Sequence, residues 1–414
     1  MRAFIVLFVV IISLLGPSAQ APQPIAPGGS LTVSCSTDLS VRSTSGQSMT
    51  ISCDAAPGTT ATALPATVVT TAAPGATATI APPTVTTAPP VATGPGLWIS
   101  PAELTALPMS GPAWMQVNAA ANASLGVANI ADQESDHDVN TLAVALVAMR
   151  TNNPALRAKA ANAIMDAIDT EIGGRTLALA RNLPSYVIAA DVINLHGYNA
   201  QMDTEFRSWL SGVRTEPLDG MTLVGTQERR PNNWGTHASA ALIAADLYLG
   251  DAARLSRAVE VFHGYLGLRS AYAVFSYGDL SWQSDSAHPV GINPVGATKD
   301  GHSIDGVIPD DQRRTGGFSW PPPCGNYTHG SLQGSLVAAQ LLYRAGYDAW
   351  QWENQALRRA YAWLYSTADG KSACPATSDD TWAPALVNRA YGTTYPFGLG
   401  IGKNMAWAAW VFAR

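Results

Sequence analysis

From Trp98 to the C-terminus, apolar residues recur with the period of an α-helix, and long helices are separated by short turns with no strand series between them. The spacing predicts helices over Asn140–Arg150, Ala155–Ile168, Leu177–Leu195, Asp203–Val213, Asn233–Leu249, Ala252–Leu266, His329–Ala345, Trp352–Thr367 and Lys403–Phe412. Gly250 and Gly346 are natural helix ends, and Pro184 marks a kink or a start within the third helix. Helices that bury one stripe each must stack as hairpins, so the fold class is all-α. The chain lacks the fixed repeat of a solenoid. The expected architecture is therefore an incomplete α/α toroid of stacked antiparallel hairpins over residues 98–414. A long segment from Ser270 to Tyr327 interrupts the rhythm with Gly, Pro, Asp and Trp. Its aromatics favour an ordered, functional loop over disorder.

The first 97 residues are different. Arg2, the apolar run Phe4–Leu15 and the small residues Ser18–Ala21 have the form of a signal peptide over 1–21, with cleavage after Ala21. Residues 22–54 hold Cys35 and Cys53 beside two alternating stretches, Leu31–Ser34 and Ser48–Ser52. A small β element pinned by a Cys35–Cys53 disulfide is expected there. Residues 55–97 are nearly all Ala, Thr, Pro, Val and Gly, a composition that buries no core and reads as an extended linker. Cys324 and Cys374 are expected to form a second bridge. The chain is thus expected to be secreted or held at the cell surface, with no membrane contact once the signal is removed.

Charge narrows the function further. Of 414 residues only 13% are charged, the formal net charge is −6, and the mean hydropathy is +0.06. A nucleic-acid partner would call for a basic excess, which is missing. A polytopic membrane protein would be more apolar. Residues 1–97 carry only Arg2, Asp38, Arg42 and Asp54 as charged groups, so the negative balance belongs to residues 98–414.

Four polar clusters stand out against this apolar background. Arg230-Pro-Asn-Asn233-Trp234-Gly-Thr-His237 opens a strongly apolar helix, and Asn233 and His237 share a face. Asn233 could instead cap that helix, and His237 could be a satisfied core histidine. Gly325-Asn-Tyr327-Thr-His329 precedes another apolar helix, with Trp320-Pro-Pro-Pro before it. Ser135-Asp-His137-Asp138 begins the first long helix, where Asp138 could act as a cap. Arg181-Asn182 lies in the third helix, and Arg313-Arg314 and His302 lie on the long loop. Trp234 offers a flat surface for stacking a sugar ring. Neither a nucleophile elbow nor a P-loop nor a dinucleotide fingerprint occurs. Asp279, Asp285, Asp305, Asp310 and Asp311 on the loop leave a glycoside hydrolase open.

Asn232-Asn233-Trp-Gly-Thr-His237 opening one helix, Asn326-Tyr327 before another, and the hairpin stack resemble the alginate lyase superfamily of polysaccharide lyases. The stretch Asn293–Gly306 is also similar to secreted proteins described as alginate lyase-like. In that family an Asn-Asn-His run carries the histidine directly. Here Trp234 stands in that place and His237 follows one turn later. The resemblance covers about residues 98–414 and implies an α/α toroid that cleaves an anionic uronan, alginate or glucuronan, by β-elimination. It implies that Asn233 and Arg314 neutralise the substrate carboxylate, with Arg313 and Arg181 as other candidates, and that Tyr327 and His237 transfer protons. Arg181, Asn182, His137, Arg230, Trp234, Arg313, His302, Trp320 and His329 would bind substrate. No metal or other cofactor is required by that scheme, and a monomer acting on an anionic polysaccharide is expected. A non-catalytic carbohydrate-binding protein is the further alternative. The basic residues Arg181, Arg229, Arg230, Arg313 and Arg314 are expected to form one patch at one end of an otherwise acidic domain.

Overall fold

The computed structural model describes residues 39–44, 48–53, 96–399 and 407–412. The expected signal peptide, Cys35 and its pairing with Cys53, and nearly all of the expected linker lie outside the described residues. Two units separate between Pro82 and Pro83, within the expected linker.

In the first unit, β1 (Leu39–Thr44) pairs antiparallel with β2 (Ser48–Cys53), Leu39 opposite Cys53 and Thr44 opposite Ser48. The second strand is where it was expected. Its partner is Leu39–Thr44 and not Leu31–Ser34, which lies outside the described residues. Only three residues separate β1 from β2 in sequence, a common hairpin spacing.

The second unit is mostly helical. Its helices are α1 (Pro101–Ala106), α2 (Pro112–Asn122), α3 (His137–Thr151), α4 (Pro154–Asp166), α5 (Thr176–Val192), α6 (Leu195–Tyr198), α7 (Ala200–Val213) and α8 (Leu223–Arg229). They are followed by α9 (Asn233–Leu249), α10 (Ala252–Leu266), α11 (Pro309–Gln312), α12 (Asn326–Arg344), α13 (Trp352–Tyr365), α14 (Ala383–Tyr391) and α15 (Ala408–Val411). A two-residue hairpin, β3 (Thr298–Lys299) with β4 (His302–Ser303), lies on the long loop. Among the described residues no helix is long and apolar enough to cross a membrane.

Caps explain several boundaries. Asn199 accepts from the backbone N–H of Gln201 and Met202 and starts α7, and Asp251 does the same for α10 through Arg254. Gly250 ends α9 at φ 70°, a conformation that favours glycine. α5 runs through Pro184 without ending there, and starts at Thr176. The helix expected from His329 begins three residues earlier, at Asn326, because the chain is freed from Pro321–Pro323 at that point. Tyr327 is therefore in the first turn of α12 and not ahead of it. Of the last expected helix, Lys403–Phe412, only Ala408–Val411 falls in the described helical residues.

The core runs through α3, α5, α9 and α12, which pack side by side in that order. Each of these helices is buried along nearly its whole length, with small residues where it meets its neighbours. α4 and α10 pack outside α3 and α9. α9 and α12 approach at backbone distance. A Cβ at Gly334 would stand 2.5 Å from the amide nitrogen of His237, and one at Gly330 would stand 3.8 Å from the Cβ of Asn233. The two contacts advance together along both helices, so α9 and α12 run parallel and present their N-termini at the same end.

The long loop is ordered by its own small core. Trp282, Ile292, Ile304 and Val307 are fully buried. The Asn293 amide donates to the carbonyl of Trp282 at 3.0 Å, and Gln283 exchanges hydrogen bonds with the backbone of Val290.

Candidate functional site

The N-termini of α9 and α12 meet α11 and the single turn Arg313–Thr315 that follows it. Asn232, not Asn233, caps α9: its side-chain oxygen accepts from Trp234 N–H at 3.1 Å. Its amide donates to Asp310 at 2.8 Å. Asp310 also accepts from Arg313 Nε at 2.8 Å and from Gly278 N–H at 3.0 Å. One buried carboxylate thereby fixes α11 to the start of α9 and occupies Arg313. Asn233 becomes the first helical residue, and its side-chain oxygen is buried without a hydrogen-bond partner.

Arg314 points to α12, where its guanidinium carbon lies 4.1 Å from the centre of the Tyr327 ring. Tyr327 is 43% exposed. Behind this pair, Asp311 is fully buried and faces the Ser331 hydroxyl and the Asn233 N–H, with no hydrogen bond of good geometry to either. Burial, and the neighbouring Asp310, hold its carboxyl well above the usual range. Ser331 is bonded in turn to Tyr265 at 2.8 Å, whose phenol burial also pushes up.

The other expected residues fall into separate settings. His237 lies one turn inside α9 and is 2% exposed, against Gly334. Trp234 is flanked by Arg230 at 5.1 Å and by Arg175 at 5.8 Å, so its ring is already engaged by cations. Asn182 donates to the carbonyls of Ile130 and Asp132, which ties α5 to the loop before α3. His137 is bonded to Tyr186 at 2.8 Å, and burial lowers its pKa. His329 donates to the carbonyl of Cys374 at 2.9 Å, and burial lowers its pKa as well. His302 stacks on Trp320 at 4.4 Å and donates to Asp369 at 2.6 Å. Trp320 borders a cavity of about 270 Å³ with Ser303, Arg359, Trp363 and Lys371. The amide nitrogen of Asn182 and the Nδ1 atoms of His137 and His302 are thus committed within the protein.

The arginines do not form one uniform patch. Arg314 and Arg230 stand beside Tyr327 and Trp234, and Arg229 is exposed. Arg313 is neutralised by Asp310, and Arg181 by Asp379 and Glu134. The Cys324–Cys374 disulfide is present, as expected, with Cα atoms 5.4 Å apart. It joins the segment just before Tyr327 to the one that leads to Asp379 and Asp380.

Two residues that sequence reasoning missed lie there. Asp380 is 4% exposed, and burial together with Asp379 pushes its carboxyl up to about 7. Gln333 of α12 donates to it at 2.6 Å. The signal available was a pair of glutamines, Gln333 and Gln340, in the mostly apolar and small stretch of α12 after His329. Asp380 sits in a stretch with no periodicity to draw attention to it. Among the described residues no three His, Cys, Asp or Glu side chains are grouped to hold a metal. The chain matches no protein-family model, and no curated protein is similar to it.

Proposed function

We propose that the chain is a secreted lyase of an anionic uronic-acid polymer, working as a monomer on an incomplete α/α toroid, as the resemblance to alginate lyases implies. The observation that carries this reading is the Arg314 guanidinium against the exposed Tyr327 ring, with Asn233 one turn away on the parallel helix.

Elimination removes the C5 proton of a uronate and expels the C4 oxygen. The C5 proton is weakly acidic because the attached carboxylate is already negative. Neutralising that carboxylate stabilises the charge that develops in the transition state, and this is the largest task. Arg314 supplies a cation for it, and Asn233 an amide. Tyr327, acting as its phenolate, takes the C5 proton and gives that proton to the leaving C4 oxygen, which one residue can do when the two groups are syn. The burial of His237 favours Tyr327 for both transfers. The paired Cys324 and Cys374 suit a chain exported to an oxidising compartment. The test is to incubate the chain with uronans and follow the ultraviolet absorbance of the unsaturated uronate, in the native chain and in Tyr327→Phe.

A second reading, a glycoside hydrolase, is favoured by Asp380, a buried carboxyl that keeps its proton near neutral pH as a general acid must. It predicts new reducing ends without the absorbance.

A further inference from the structure

A cavity of about 760 Å³ lies at the opposite end of α9 from the Tyr327 site, about 24 Å along the helix axis. Its volume is that of a pocket for a small molecule, about 300–1,000 Å³. Leu104 of α1, Ala190 of α5, Leu195 of α6 and Leu247 of α9 are buried and give it apolar walls. Met149 and Leu249 face the same space and are half-buried, so it is open to solvent. The last turns of α3, α5 and α9 all line it. The negative ends of their helix dipoles favour a cation there.

Among the described residues, Asp191 is the one carboxylate on the wall of this cavity, and it has no ion partner. It stands at the end of α5 and is half-buried. Its Oδ2 accepts from the Leu97 N–H at 2.7 Å. Among the described residues its Oδ1 meets no donor, and that atom is not sealed from solvent. The neighbouring cations are committed elsewhere. Arg207 and His196, at the rim, both bind Asp203, at 2.9 and 3.1 Å. Arg344, whose charge reaches Asp191, is held by Glu103 at 2.9 Å. Burial raises the Asp191 carboxyl above its ordinary value, as it does for a charge without a close partner.

We propose that this cavity binds a small organic ammonium ion, its apolar body against Leu104, Leu195 and Leu247 and its charged nitrogen on Asp191. The ammonium donates to Asp191 Oδ1. The Leu97 N–H holds Oδ2, so the carboxylate is oriented before a ligand arrives. An anionic ligand would meet Asp191 and three helix C-termini of like sign. A neutral ligand of the same shape would gain the apolar contact alone.

The test is calorimetric titration of the full chain at neutral pH with three probes that share an eight-carbon chain, n-octylammonium, n-octanol and n-octanoate. Octylammonium is expected to bind about tenfold more tightly than octanol, the scale of one hydrogen bond to a charged group, and octanoate not at all. Asp191→Asn keeps an acceptor for the Leu97 N–H and should bring the ammonium and the alcohol to equal Kd. Met149→Trp fills the cavity and leaves Asp191 in place. It should weaken octylammonium binding about tenfold, and it carries the test if Asp191→Asn fails to fold. No binding of octylammonium to the native chain, or equal binding of the ammonium and the alcohol, would overturn the site. A preference for the ammonium that persists in folded Asp191→Asn, or unchanged affinity in folded Met149→Trp, would do the same.

Discussion

Arg314 holds its guanidinium 4.1 Å from the centre of the Tyr327 ring, and both residues stand on supports that are themselves fixed. Asp310 ties the segment of Arg314 to the cap of α9, and Cys324 ties the approach to Tyr327 to Cys374. A cation over an aromatic face at an exposed position is worth only about 0.5–1 kcal/mol. The pairing therefore matters more for chemistry than for stability.

Arg314→Ala is expected to lower kcat/KM for the uronan by roughly 10²-fold, the scale of losing one charge-stabilising group, with the melting temperature nearly unchanged. Tyr327→Phe should abolish turnover while leaving much of the binding. Steady-state kinetics with calorimetric binding separates the two. Loss of binding in Tyr327→Phe with turnover retained would assign the hydroxyl to holding substrate and not to proton transfer.

The disulfide closes a loop of 50 residues that contains α12 and α13. Chain entropy alone sets its contribution at about 4 kcal/mol. The double variant Cys324→Ser/Cys374→Ser should melt well below the native chain in scanning calorimetry. It should also lose kcat, because Tyr327 lies three residues from Cys324.

Asp380 makes stability depend on pH in a definite direction. Its carboxyl is raised from an ordinary 3.8 to about 7 in the folded chain. The folded state therefore holds this proton more tightly than the unfolded state. Its favourable contribution is complete below pH 4 and is lost as pH rises to 7. Asp380→Asn should nearly match the native chain at pH 4 and exceed its stability at pH 8 by on the order of 4 kcal/mol in denaturant titrations. Equal stabilities at pH 8 would show that Asp380 is ionised at no cost.

Gly334 lets α9 and α12 meet, since a Cβ there would stand 2.5 Å from His237 N. Gly334→Ala should push the helices apart and destabilise by about 1–3 kcal/mol. It should also reduce kcat, because Asn233 and Tyr327 depend on that crossing for their spacing. Chemical denaturation and kinetics on one preparation read both effects.

How much of this was legible in the sequence differs from element to element. α9 and α10 could be bounded at both ends, because Asn232, Gly250 and Asp251 act locally as caps and stops. α1, α2 and α8 went unread because each is short or begins at a proline, where periodicity has too few turns to register. Asn233, Tyr327 and Arg314 could be marked as candidates by type and position. Which arginine reaches Tyr327 could not, because Arg313 and Arg314 are adjacent and only the Asp310 bond decides between them. The contact of Gln333 with Asp380 spans 47 residues and leaves no local pattern.

The most direct test of the lyase account is ultraviolet absorbance during incubation with polymannuronate, polyguluronate, glucuronan and hyaluronan. The account predicts absorbance rising with at least one of them in the native chain, and none in Tyr327→Phe. Reducing ends that appear without absorbance, or no reaction with any of the four, would contradict it.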